Sequence, residues 1–263
     1  MNKLLLVIRY LNYYIKSKTR YRIHSTFIYD FINNVLRDET KYEDYERLWD
    51  NRCYLATKTD PIETVDFGSG AGSRKYKTSY LPLKKIVKLR THPKKRLELL
   101  YRISKFSKAN NILEFGTAAG ISATYLWSAT PDSKFVTMEG CANLASKAEE
   151  RFHDLKMDGI KLKVGNFDTN LDTTLKEFKT LDLVFFDGNH REEPTLRYYE
   201  SCVELSNESS IFVFDDIHWS SGMERAWNKI KDDQRVSVTI DLFWFGLVFF
   251  KKGIEKQDFI IRY

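Results

Sequence analysis

The chain has 263 residues, 42 Lys and Arg against 36 Asp and Glu, and a net charge of +6. That length suits one globular domain with an appendage. A hydrophobic content of 43% with 14% aromatic residues is too rich for a disordered chain. The longest purely aliphatic run, Leu4 to Ile8, is too short to span a bilayer.

The modest net charge conceals a split. Residues 1–110 hold 24 Lys and Arg against 11 Asp and Glu, whereas residues 111–263 hold 18 against 25. Two parts with different duties are expected: a basic, mainly helical cap over 1–110 and an α/β domain over 111–263. Cys53, Cys141 and Cys202 lie far apart and make neither a disulfide framework nor a CxxC metal site. That usage fits a reducing, cytoplasmic compartment.

In chain order, Met1 to Tyr14 is apolar and aromatic, charged at Lys3 and Arg9, and no small-residue cleavage site follows it. Lys16, Lys18, Arg20 and Arg22 come next. Ser25 reads as the N-cap of a helix with Phe27, Ile28, Phe31, Ile32, Val35 and Leu36 on one face. Between 70 and 110, 13 Lys and Arg face one acid, Glu98, and Pro93 opens a helix that packs Leu97, Leu100 and Ile103 inward. From Asn111 onward, β-rich runs at 111–115, 134–139, 160–164, 181–187, 210–215, 235–241 and 243–250 are separated by helical patterns. That alternation predicts an α/β layered fold with a largely parallel sheet, its last two strands forming an antiparallel hairpin.

Two glycine-rich stretches compete for a nucleotide-binding role. One runs from Asp66 through Gly68, Gly70 and Gly72 to Ser73; the other is Glu114-Phe115-Gly116-Thr117-Ala118-Ala119-Gly120. Such a loop has to leave a strand, turn tightly and open a helix, so that backbone N–H groups face the ligand. The second stretch satisfies this; the first runs into Ser73-Arg74-Lys75-Tyr76-Lys77 without a helical apolar stripe. An acid at the end of the next strand separates them further. Glu139 stands 19 positions after Gly120, where a carboxylate can accept from both hydroxyls of an adenosine ribose.

Glu114-x-Gly116-x-x-x-Gly120 resembles the first motif of class I S-adenosylmethionine-dependent methyltransferases. The resemblance covers roughly 110–250 and implies a Rossmann-like seven-stranded methyltransferase sheet with helices on both faces. It also implies that S-adenosyl-L-methionine is held by Glu114, Gly116, Thr117, Ala118 and Gly120 around its methionine part, and by Glu139 at the ribose. Asn166 and Phe167 would lie near the adenine, with Asn166 where the family more often has Asp, and Asp187 would border the cofactor.

The fourth strand ends in Asp187-Gly188-Asn189-His190 and the fifth in Asp215-Asp216-Ile217-His218. Acids at the carboxyl ends of such strands converge on the ligand crevice, and clustered like charges call for a cation or protons. This pattern resembles the metal-dependent O-methyltransferases of the catechol and antibiotic sugar-tailoring types. On that resemblance Asp187, Asp215 and Asp216 ligate Mg²⁺ or another divalent cation. His190 or Asp187 then takes the acceptor's proton, and His218 is a supporting group or a substrate contact. Alternatively, Asp215 or Asp216 caps the helix beginning near Ser220 or Ser221, and His190 only bonds a backbone carbonyl.

Ile23-His24-Ser25-Thr26-Phe27 and Asp66 to Arg74 resemble a group of uncharacterised bacterial methyltransferases. The expected activity is O-methylation of a small hydroxylated molecule. Two other readings stand beside it: an RNA-modifying enzyme using the basic 1–110 region, and a membrane-surface or scaffold protein using residues 4–22. The N-terminal segment also suits docking on the core or a homodimer contact.

Overall fold

A computed structural model describes residues 3–19, 25–68 and 76–263. Arg20, Arg22, Ile23, His24 and the stretch from Ser69 to Lys75, for which the sequence gives expectations, lie outside the described residues. The chain forms two compact units, 38–177 and 1–37 with 178–263. The expected 1–110 region contributes residues to both.

In the 38–177 unit, α3 (Glu43–Leu55) precedes an antiparallel hairpin of β1 (Pro61–Asp66) and β2 (Lys77–Pro82). This hairpin occupies sequence expected to be helix and loop. Helices α4 (Leu83–Arg90) and α5 (Lys94–Ser107) follow, with Pro93 as the α5 N-cap. Leu97, Leu100 and Ile103 are fully buried, as their spacing predicts. Three parallel strands then alternate with helices: β3 (Asn111–Phe115), α6 (Ile121–Ala129), β4 (Lys134–Glu139), α7 (Ala142–Asp154), β5 (Ile160–Val164) and α8 (Phe167–Leu175). Four of the five β3 residues are buried, the near-continuous apolar character of a parallel strand covered on both sides.

The other unit opens with α1 (Lys3–Lys16) and α2 (Thr26–Phe31), the latter continuing into a π-helical turn at Ile32–Leu36. Ser25 caps α2 as expected, its side chain accepting from the Ile28 N–H. Beyond residue 178 come β6 (Leu181–Phe186), α9 (Glu192–Val203), β7 (Ser206–Asp215), α10 (Ser221–Asp232), β8 (Val238–Asp241), β9 (Phe245–Phe249) and β10 (Gln257–Ile260). β6 and β7 run parallel, β9 pairs antiparallel with both β7 and β8, and β10 runs parallel to β8. The β8–β9 hairpin is the one expected. The class I, Rossmann-like α/β order therefore has eight strands rather than seven; β10 is the addition, a four-residue strand without a distinctive apolar run.

Aromatic packing holds this unit. Phe186 and Phe214 stack at 4.3 Å between centroids, and Phe27 and Phe31 both meet Phe249 edge-on. Helix α1 is anchored along one side. Tyr10 and Tyr13 pack on Phe243, the Tyr13 hydroxyl donates to the Ile261 carbonyl at 2.5 Å, and Arg9 pairs with Glu224 at 2.9 Å. Its other side leaves Leu4, Leu5, Val7, Ile8, Leu11 and Ile15 exposed. Among the described residues, no helix is long and apolar enough to cross a membrane.

Tyr13 also accepts from the Tyr263 N–H, so its hydroxyl serves a buried carbonyl and an amide together. Tyr13→Phe is expected to cost about 1–3 kcal/mol, measured by urea unfolding, because a buried acceptor loses its donor.

Candidate active site

The 116–120 turn is built around left-handed backbone. Gly116 (φ 95), Ala118 (φ 45) and Gly120 (φ 76) all lie in the region that favours glycine. Gly120 N-caps α6 and passes so close to α7 that an added Cβ would stand 2.9 Å from Phe152 Cε1. Ala118 has no such freedom, and its conformation is held by a carboxylate: Glu139 Oε2 accepts from its N–H at 2.7 Å. Glu139 Oε1 accepts from the Cys141 N–H at 2.8 Å, so one side chain fixes the loop and the entry to α7.

Below the turn lies a polar chain within the core. Thr117 and Thr137 hydroxyls meet at 2.5 Å, and Thr137 donates to Glu114 Oε2 at 2.6 Å. Glu114 and Thr117 are buried, so their side chains brace the loop from beneath, while Gly116 and Ala118 present half-buried backbone. Asn166 accepts from the Asp168 N–H and thereby caps α8. Phe167 is half-buried and packs edge-on against Phe115. β1 ends at Asp66, and the next described element is β2, not a helix.

One interaction had no signal in the sequence. Arg151, on α7, is 4% exposed and donates from Nε to the Ala119 carbonyl at 2.7 Å. In the sequence it reads as an ordinary charge on an amphipathic helix.

The acids sit in the other unit. Asp215 ends β7 and is buried; Asp216 follows, half-buried, with φ 55 and its N–H donating to the Trp244 carbonyl. Asn189 and His190, beyond β6, also adopt positive φ, at 69 and 49. Bulky residues in this region carry strain and gather at functional sites. One ligand atom each of His190, Asp215 and Asp216 lie within 4.8 Å of one another. An Asp187 oxygen lies within 4.8 Å of one from Asp215, and His190 Nε2 is 3.5 Å from Asp187 Oδ1. Asp215 is thus the member shared by both sets, and His190 stands closer to the acids than the sequence reveals. The capping role considered for Asp215 or Asp216 belongs to Ser220, whose side chain accepts from the Met223 N–H.

His218 is held by Asp241 at 2.8 Å and Glu224 at 3.2 Å and lies over the Phe243 ring. Burial alone would lower its pKa, but the two carboxylates outweigh burial and raise it. The side chain serves α10 and the β8–β9 hairpin.

Residues 113–217 match the family described as a methyltransferase domain. No curated protein matches the sequence. Among solved structures, the O-methyltransferase TomG from Streptomyces achromogenes, of tomaymycin synthesis, is 21% identical with a TM-score of 0.53, over 62% of this chain and 82% of its own. A Bacillus cereus O-methyltransferase bound to S-adenosylhomocysteine is 16% identical (TM-score 0.55, 85% and 97% covered). A Podospora anserina methyltransferase, also bound to S-adenosylhomocysteine, is 15% identical (TM-score 0.55, 82% and 99% covered).

Two outcomes test this geometry. Gly120→Ala is expected to cost at least about 1–2 kcal/mol for its left-handed backbone, with Phe152→Ala in the same chain recovering only the steric part of the loss in melting temperature. A His218 pKa raised in the folded state adds stability that is complete below about 6.5 and fades as pH rises through the folded value. Asp241→Asn is expected to flatten that loss in urea melts between pH 6 and 8.5. Residues 113–217 thus match a methyltransferase-domain family, and the α/β fold that carries them is shared with methyltransferases of known structure.

Proposed function

We infer that the protein transfers a methyl group from S-adenosyl-L-methionine to a hydroxyl of a small molecule, with help from a divalent cation. The observation that carries this reading is Glu139: a carboxylate at the end of β4, bonded to the amide of a left-handed glycine loop.

The residues present fit an adenosine-bearing methyl donor. A carboxylate offers about four acceptor positions, and Glu139 uses part of that capacity on Ala118 and Cys141. Gly116, Ala118 and Gly120 shape the turn that receives the amino-acid part, with Glu114 and Thr117 bracing it through Thr137. Asn166, which caps α8, and Phe167 would border the adenine. Asp187 follows the last residue of β6.

The acids fit a hard cation. Asp215 is buried beside Asp187, an arrangement that like-charge repulsion disfavours unless positive charge or a proton intervenes. Asp187, Asp215 and Asp216 would hold the ion through oxygen, the donor type such ions prefer. When bound, the methyl donor supplies an electrophilic carbon, and the cation supplies charge that lowers the pKa of a hydroxyl. His190 then accepts the acceptor's proton at Nε2, and Asp187, 3.5 Å away, stabilises the imidazolium.

Calorimetric titration with S-adenosylmethionine is expected to show saturable binding, weakened about tenfold or more by Glu139→Ala, since tenfold is about 1.4 kcal/mol. Binding that Glu139→Ala leaves intact defeats the reading. EDTA is expected to abolish turnover, with Mg²⁺ restoring it in the wild type and not in Asp215→Asn. A base at His190 predicts that His190→Ala loses turnover while keeping its Mn²⁺ affinity; a ligand at His190 loses both.

A further inference from the structure

Helix α1 is anchored on one side and open on the other. Arg9, Tyr10 and Tyr13 hold it to its own unit, through Glu224 and Phe243. On the opposite side Leu4, Ile8, Leu11 and Ile15 recur at i, i+4, i+7 and i+11, a stripe about 60° wide that Leu5 and Val7 broaden to about 160°. These six residues are 48% to 80% exposed. Asn12 is the polar interruption of the arc. A continuous apolar surface of this kind, running along a 14-residue helix, is costly in water and marks an interaction site.

The charge around the stripe selects its occupant. Residues 1–29 contain no Asp or Glu and hold six Lys and Arg. Arg9 is engaged inward with Glu224, whereas Lys16 and Lys18 are exposed at the C-terminal end of the helix. Arg262 joins them there, donating to the Tyr14 carbonyl and lying 3.9 Å over the Tyr14 ring. Tyr10 and Tyr14, 44% and 45% exposed, lie along one edge of the stripe, and such rings suit the boundary between water and hydrocarbon. A second copy seated here by two-fold symmetry would set the acid-free segment against itself, base against base. Anionic headgroups over hydrocarbon match both features at once: apolar side chains enter about 5–10 Å while the bases stay with the phosphates. Fourteen residues fall short of the about 20 needed to cross a bilayer, so the helix lies in the plane.

We propose that the outer face of α1 binds the surface of an anionic membrane, with Lys16, Lys18 and Arg262 on the headgroups. The surface is formed within one unit and is independent of the methyl-donor reading.

The test is co-sedimentation of the full chain with vesicles. Binding is expected on phosphatidylcholine containing about 30% phosphatidylserine, and at least about tenfold weaker binding on phosphatidylcholine alone. Lys16→Glu with Lys18→Glu is expected to weaken the anionic binding about tenfold or more. The fourfold variant Leu4→Gln, Ile8→Gln, Leu11→Gln and Ile15→Gln is expected to abolish it at an unchanged melting temperature, since all four positions are exposed. Should that variant unfold, Ile15→Glu alone, at a residue 80% exposed, is expected to weaken binding about tenfold or more. Absence of co-sedimentation, equal binding to the two kinds of vesicle, or binding that survives the substitutions on the apolar face overturns the proposal. A dimer in light scattering that the fourfold variant returns to monomer assigns the face to a second copy and overturns it as well.

Discussion

The carboxylate of Glu139 is the constraint on which the 38–177 unit's chemistry depends. It accepts from Ala118 in the glycine turn and from Cys141 at the mouth of α7. Without that pair of bonds, an alanine at φ 45 has little reason to stay there, and the turn between β3 and α6 loses its shape. The same turn is held from two more directions: from below by the Thr117–Thr137–Glu114 chain, and by the Arg151 guanidinium on the Ala119 carbonyl. A five-residue loop fastened at so many points is preorganised by the protein's own bonds.

In the other unit, β7 has the comparable role. It lies between β6 and β9 and delivers Asp215 at its buried end. The chain then turns sharply through Asp216, whose positive φ is secured by the bond from its N–H to the Trp244 carbonyl. The β6 end is strained in the same manner at Asn189 and His190. His190 and Asp216 thus combine a positive φ with a ligand atom beside one of Asp215, the pattern expected where geometry matters more than stability.

Much of the α/β part was legible because buried parallel strands read as continuous apolar runs, as in Ile211 to Phe214 and Leu183 to Phe186. The glycine turn was legible because strand, Gly116, Gly120 and helix occur in order. The β1–β2 hairpin was not: β1 buries only Ile62 and Thr64, and β2 buries none of its residues, so neither has a clear apolar signature. β10 was missed for the same reason. The approach of His190 to Asp215 and Asp216, and of Arg151 to Ala119, depends on elements far apart in sequence, and no spacing rule reports such meetings.

The second unit is assembled from residues 1–37 and 178–263. Tyr13 bonds Ile261, Lys18 bonds Ile260, and Arg262 reaches back to Lys18. During synthesis the first helix therefore emerges long before its partners exist. Its packing face waits until residues 224–261 have been made, and the strand that carries Asp215 lacks its β9 neighbour until residues 245–249 follow. Contacts of such sequence separation form slowly, and exposed apolar surface in the interval invites association.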